Sequence, residues 1–298
     1  MKLATSSMLK HVSSDGLIEI SDGQFLALHE VLISIVEDIV NYCDENHLKY
    51  FLGGGSCLGA VRHQGFIPWD DDVDLDMPRK DFEVFKSGFL KRFGDKYRLH
   101  LPGETDGYGV LVCRVVKRGT RLRCHDAPPA ESGVFVDIFI QENTFDSKIM
   151  RLAHGVLCQA ASLAVSCARF YAYRDMYFSI AKDNRELLWA VRVKTAIGFL
   201  LSWRTVKQWA ALADHICSLC KNDSSEYVTY PAGKYRYFGE IRKRRVFGEG
   251  KLLPFDGHQW RVPAEVESYL SEHYGDYMSI PDEAEREKHA YLEFDLGE

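Results

Sequence analysis

Five aspartates occupy seven consecutive positions in Asp70-Asp71-Asp72-Val73-Asp74-Leu75-Asp76. Alternation with Val73, Leu75 and Met77 predicts a half-buried strand over Asp72 to Met77. In that pattern Asp70, Asp72, Asp74 and Asp76 fall on one face, neighbours about 6 to 7 Å apart. Unpaired carboxylates so placed repel one another, so a hard divalent cation, Mg²⁺ or Mn²⁺, is the natural counter-charge. A solvated acidic loop is the plain alternative. The apolar alternation and the approach through Ile67-Pro68-Trp69 argue against it. An EF-hand loop is excluded, because no frame of the run has glycine at position six and glutamate at position twelve.

Upstream, the β-prone run Lys49 to Leu52 ends in Gly53-Gly54-Gly55-Ser56, and Cys57 to Arg62 has the composition of a helix start. Backbone N–H groups at Gly54, Gly55 and Ser56 could therefore hold phosphate oxygens, while the carboxylates hold the metal that bridges them. Three glycines alone make an ordinary turn; the pairing with the aspartates is what points to phosphoryl chemistry. A third metal ligand is sought on another strand, and Asp137 in the apolar run Gly133 to Phe139 is the candidate. Its alternative is a buried aspartate that caps a turn or pairs with Arg114. Arg62, His63 and Lys117 could face phosphate or be ordinary surface charges. The metal set is thus Asp70, Asp72, Asp74 and Asp137, with Asp72, Asp74 and Asp137 as the catalytic carboxylates.

The elements that must position these groups are legible in outline. Apolar residues at helical spacing from Phe25 to Tyr42 predict a long amphipathic helix, and Phe82, Phe85 and Phe89 predict another. Gly109 to Lys117 and Val134 to Ile140 read as strands. Residues 148–220 read as almost wholly helical, and a last helix is expected near Val266 to Tyr274. The expected fold class is α/β (α+β), a mixed sheet with flanking helices and a helical subdomain. Its expected divisions are 1–147 for the N-terminal helix and catalytic core, 148–225 for the helical subdomain, and 226–298 for a part completing the active or acceptor site.

Composition narrows the partners. A net charge of −6 and 46% hydrophobic residues in 298 describe an ordinary globular chain with no chain-wide basic surface for nucleic acid. Eight scattered cysteines read as reduced thiols, and Cys217 and Cys220 lack the second pair a zinc ribbon needs. Ser13, Ser14, Asp15 and Glu19 break any signal-peptide core, so a cytoplasmic location is expected. Leu187 to Trp203 is the best candidate for a membrane span, yet it is short and interrupted by Arg192 and Lys194. The helices around Leu152 to Tyr173 and Leu187 to Trp203 instead admit a peripheral membrane contact. The basic run Arg242-Lys243-Arg244-Arg245 could meet an anionic acceptor, donor phosphates or a membrane, or simply be solvated. Tyr230, Tyr235, Tyr237 and Phe238 could supply a ring to stack on cytosine, or pack the core.

Gly53 through His63, followed by Ile67-Pro68-Trp69-Asp70-Asp71-Asp72-Val73-Asp74, resembles the signature of the LicD family. That family includes bacterial phosphorylcholine transferases and is related to the fukutin-type ribitol-phosphate transferases. Tyr269-Leu270, Tyr274-Gly275-Asp276-Tyr277-Met278 and Ile280-Pro281 are similar to its C-terminal block. The resemblance implies a nucleotidyltransferase-like fold, a divalent metal at Asp72, Asp74 and Asp137, and donor phosphates at Gly54, Gly55 and Ser56. It further implies transfer of a phosphoalcohol, phosphocholine as the first guess, from a CDP-activated donor to a carbohydrate or lipid-linked glycan, releasing CMP. The loop from His63 to Asp71 is longer than the fold's usual spacing, which leaves the roles of His63 and Trp69 open. Two rival readings stand beside this one: nucleotidyl transfer on the same fold, and a non-catalytic glycan-assembly scaffold.

Overall fold

A computed structural model describes residues 17–18, 20–282, 286 and 291–297. The expectation about a signal peptide lies outside these residues for Ser13, Ser14, Asp15 and Glu19. In chain order the elements are α1 Asp22–Glu45, β1 Phe51–Leu52, α2 Gly54–Arg62, β2 Asp74–Pro78, α3 Arg79–Phe93, β3 Tyr97–His100, β4 Cys113–Lys117, β5 Arg121–Cys124 and β6 Phe135–Asn143. Four helices follow: α4 Lys148–Ala172, α5 Arg174–Ala181, α6 Arg185–Leu200 and α7 Val206–Cys217. The chain then forms β7 Tyr227–Thr229, the short α8 Arg236–Gly239, β8 Arg242–Lys243, the hairpin β9 Lys251–Phe255 and β10 His258–Val262, α9 Val266–Tyr274, and β11 Tyr291–Asp295.

The fold is mixed α/β. Its main sheet runs β1-β2-β6-β4-β3, with β7 joined to the far end of β6 and β8 to β7. Among the described residues only β2 and β6 pair in parallel, with Asp74 opposite Asp137. One face of the sheet is covered by α1, begun by a capping box between Ser21 and Gln24. Leu28, Leu32, Ile35, Val36 and Ile39 recur at helical spacing and are fully buried against Val115, Val136 and Ile138. The phenylalanines of α3 form a ladder, Phe85 stacked on Phe89 at 4.6 Å, with Tyr42 edge-on to both.

Two local expectations shift. The strand begins at Asp74 and not at Asp72. Strand β1 is two residues long and pairs only with Leu75 and Asp76, so residues 70–72 have no ladder to join. They are held by other groups: the Asp70 N–H donates to the Ile67 carbonyl, and His29 Nε2 donates to the Asp70 carbonyl at 2.7 Å. The second shift concerns the glycine turn, because α2 already starts at Gly54. Gly54 has φ +42°, a left-handed conformation that glycine adopts without strain.

The stretch 148–217 is helical, as its sequence predicts. Strand β7, from the C-terminal part, extends the main sheet through β6. All eight cysteines are free thiols, seven of them buried. The helix long and apolar enough to cross a membrane, among the described residues, is α4 and not the Leu187 to Trp203 stretch; α6, which overlaps that stretch, has 16 residues.

Candidate active site

The parallel pairing of β2 with β6 brings the two acidic segments together. Asp74 faces Asp137 across one ladder, and Arg114 on β4 faces Asp137 across the next. Asp137 N–H donates to the Val73 carbonyl, which fixes this register at the entry to β2. The Asp74 N–H donates to Ser56 Oγ at 2.9 Å, and the Gly53 N–H to the Asp74 carbonyl at 2.9 Å. The glycine segment and the aspartate strand are therefore clamped directly to one another.

Each glycine lies against a carboxylate. A methyl group on Gly53 would come within 2.7 Å of Asp76 Oδ1, one on Gly54 within 3.4 Å of Asp74 Oδ2, and one on Gly55 within 2.8 Å of Asp70 Oδ2. The glycines thus let a helix N-terminus approach an acidic cluster that side chains would hold away. First-turn N–H groups such as those of Gly55 and Ser56 find no acceptor inside their own helix, and they carry the positive end of its dipole.

The electrostatics match this crowding. Burial, then the like charges of Asp72, Asp137, Asp70 and Asp76, pushes the Asp74 carboxyl far above the usual carboxylate range. Oxygens of Asp70, Asp71 and Asp72 lie within 4.8 Å of one another. The converging oxygens all belong to the loop, and Asp74 and Asp137 stand opposite each other on the adjacent strands; an all-carboxylate set of this kind has the chemistry that suits a hard divalent cation. Asp70, Asp72, Asp74 and Asp137 would hold it. Asp71 is buried, with Tyr291 Oη donating to its Oδ2 at 2.8 Å, and so braces the loop against β11.

Asp76 shares the face of Asp74 but does another job. Burial pushes its carboxyl up to about 8, and hydroxyls of Tyr230 and Tyr269 hold it from the far side. Tyr269 Oη stands 3.4 Å from Asp76 Oδ2 and accepts the Gly54 N–H at 3.0 Å. The C-terminal block is thereby tied to the glycine helix, and Tyr274 Oη lies 3.7 Å from where a Gly54 side chain would begin.

Other sequence candidates separate. Asp137 does pair with Arg114, Nε to Oδ1 at 2.9 Å, while also standing beside Asp74. Arg62 donates to the carbonyls of Tyr277 and Ser279, both at 3.0 Å, so it clamps the C-terminal loop. His63 caps α2, and its ring meets Trp69 edge-on at 6.5 Å, with Arg286 over the other partner, Trp69, at 4.2 Å. Lys117 is not brought to the cluster. Strand alternation turns it to the opposite face from Arg114, where Nζ meets Ser34 on α1 at 3.2 Å.

The run Arg242 to Arg245 is not a uniform solvated patch. Arg242 is buried and donates to the Gly239 carbonyl, and Arg244 donates to Asn143 and Ser225, while Arg245 is exposed. Tyr230 and Tyr237 are buried in the packing; Tyr235 and Phe238 are exposed. Sequence reasoning treated Arg114 only as an alternative partner and passed over Glu131. Glu131 is 4% exposed and receives Arg114 and Arg169 together. A lone glutamate in a Pro-rich turn gives no periodic signal.

Residues 47–152 match the nucleotidyltransferase domain of the LicD/FKTN/FKRP family. This segment is a LicD-family domain. It contains the glycine helix, the aspartate loop, β2 and β6. Similarity to the lipopolysaccharide cholinephosphotransferase LicD of Haemophilus influenzae is 24% identity over 271 residues, 87% of this chain and 93% of the relative. A shorter match, 46% identity over 43 residues, joins the LicD-type domain to the human ribitol 5-phosphate transferase FKRP, covering 14% of this chain and 9% of that protein. An uncharacterised Rickettsia prowazekii protein is 39% identical over 62 residues. The named relatives are thus a cholinephosphotransferase and a ribitol 5-phosphate transferase.

Proposed function

We propose that the protein is a divalent-cation-dependent phosphotransferase that moves a phosphoalcohol, phosphocholine as first candidate, from a CDP-linked donor to a sugar hydroxyl of a glycan. The observation that carries this reading is the juxtaposition of Asp74 and Asp137 across one parallel ladder, with the N-terminus of α2 against them. Asp70, Asp72, Asp74 and Asp137 would hold Mg²⁺ or Mn²⁺, whose charge would offset that of the donor phosphates. The likeness to a cholinephosphotransferase over nearly the whole chain supports the choice of donor alcohol.

In the proposed reaction the acceptor hydroxyl oxygen bonds to the phosphorus of the phosphoalcohol, and the bond from that phosphorus to the CMP oxygen breaks. CMP leaves with the electron pair. Gly54, Gly55 and Ser56 offer backbone N–H groups to the phosphate oxygens. The hydroxyl proton goes to Asp74 in preference to Asp137, because Arg114 already engages both Asp137 oxygens, at 2.9 and 3.4 Å. Lining up donor and acceptor then supplies most of the remaining acceleration.

The test is CMP release from CDP-choline, CDP-ribitol and CDP-glycerol, each with Mg²⁺ or Mn²⁺ and a mixed glycan acceptor, beside Asp74→Ala. Metal-dependent CMP from one donor, lost in the variant, is the expected result. Pyrophosphate release from a nucleoside triphosphate, with no CMP from any CDP-alcohol, would replace this reading with nucleotidyl transfer. A cation bound at the cluster with no turnover of either kind would favour the scaffold.

A further inference from the structure

Among the described residues, one face of α4 has no partner within the chain. Ile149, Leu152, Val156, Ala160 and Leu163 recur at helical spacing along it, and the three largest at its start are 82%, 59% and 54% exposed. Isolated exposed apolar side chains are ordinary; a continuous helical stripe of them marks a contact surface. The end of α6 adjoins this helix, since the Tyr171 and Phe199 rings are 5.8 Å apart and Gly198 rests on the Cys167 carbonyl. There Phe199, Leu200 and Trp203 are again 61% or more exposed.

Charge identifies what covers this face. Residues 148–207 hold ten lysines and arginines against three acidic residues, within a chain whose net charge is −6. Lys148, Arg192 and Lys182 are exposed there. An apolar stripe bordered by cations, with Trp189 and Trp203 exposed, has the composition of a surface that enters the headgroup layer of an anionic bilayer. We propose that the α4–α6 face is a peripheral membrane-binding surface for anionic lipid.

The helix lies on the bilayer and does not cross it. Its opposite side carries His154, which donates through Nε2 to the Ile216 carbonyl on α7 at 2.8 Å, and Gly155, where a methyl group would meet the Phe238 ring within 2.5 Å. Cys158, Ala161 and Val165 are buried along the same side. Crossing would strip α7 and α8 from these contacts and expose them to lipid.

The experiment is flotation of the full chain with vesicles of phosphatidylcholine alone or mixed with phosphatidylglycerol. Flotation with the anionic vesicles, weakened by salt, is expected, together with at least about tenfold weaker partitioning for the double variant Ile149→Glu/Val156→Glu. Both positions are exposed, so its thermal melt should match that of the unaltered chain. Lys148→Glu/Arg192→Glu should weaken binding to the anionic vesicles alone. Failure to float with phosphatidylglycerol, or equal flotation of the apolar variant, overturns the proposal. So does a dimer in sedimentation equilibrium that Ile149→Glu/Val156→Glu splits, which would make this face a contact between two copies.

Discussion

Replacing Asp74 by asparagine should leave the cation-free protein about as stable as before, or slightly more so, while abolishing its stabilisation by Mg²⁺ or Mn²⁺. Two unit charges 4.8 Å apart, the outer limit for the oxygens of Asp70, Asp71 and Asp72, repel by about 3.5 kcal/mol at an effective dielectric near 20. Screening at the half-buried Asp70 and Asp72 reduces this, but several such pairs still rival the whole stability of a domain. The cluster therefore cannot be fully ionised without a counter-charge. Asp74, crowded by the others and pushed far above the usual carboxylate range by burial and their like charges, is the carboxyl expected to keep its proton when no cation is bound. A protonated carboxyl and an amide have nearly the same shape, so the cation-free cost of Asp74→Asn should stay within about 1 kcal/mol. Cation binding at 100 times its dissociation constant stabilises by about 2.7 kcal/mol, a rise of about 4 °C in Tm for a chain of this size. Thermal melts with EDTA and with Mn²⁺ read both quantities. An unaltered protein whose Tm ignores the cation would refute the reasoning, as would a variant that gains as much as the parent.

Three further outcomes follow from contacts around the site. Glu131→Gln leaves Arg114 and Arg169 without the carboxylate they share, so urea unfolding should show a loss of about 3 kcal/mol. Tyr269→Phe removes the hydroxyl between Gly54 N–H and Asp76, and should cost about 1 to 2 kcal/mol while lowering cation affinity. Lys194, buried on α6 with Nζ at Ser166 Oγ, is lowered by burial from 10.5 to about 8. The unfolded chain therefore takes up the proton first as pH falls, so this lysine costs stability below 10.5, fully below about 8. Lys194→Met should stabilise by at most about 3 kcal/mol at pH 7 and flatten the rise in stability between pH 8 and 10.5, measured against the parent at each pH.

What the sequence revealed tracks the range of the interactions involved. Helices α1 and α3 could be read because apolar spacing is a local property, and α9 was expected at its observed bounds, Val266 to Tyr274. The short strands β5, β7 and β11 escape the pattern because partners distant in sequence stabilise them; Cys124, for example, pairs with Tyr291. Candidate site residues were legible where their type was unusual for the setting, as with aspartates among valines and leucines. Alternation alone placed Asp70 and Asp72 on the strand face. The chain instead holds them in a loop through His29 and a turn at Ile67, neither of which alternation reports. Lys117 was misjudged for a related reason, since strand parity relative to Arg114 matters more than its closeness in sequence.

The buried chain Asp137, Arg114, Glu131 and Arg169 explains why the helical stretch is not merely a cover. Arg169 lies on α4, and Arg114 and Asp137 lie on adjacent strands of the main sheet. Arg114 also rests over the Phe135 ring at 4.0 Å, which leaves its guanidinium little freedom to follow a displaced partner. Two arginines around one glutamate leave net positive charge beside Asp137. A helix that moved would carry Arg169 away, loosen Glu131, and let Arg114 bind Asp137 more tightly at the expense of any cation. The position of α4 and the charge available at the aspartates are therefore coupled through groups largely withdrawn from solvent.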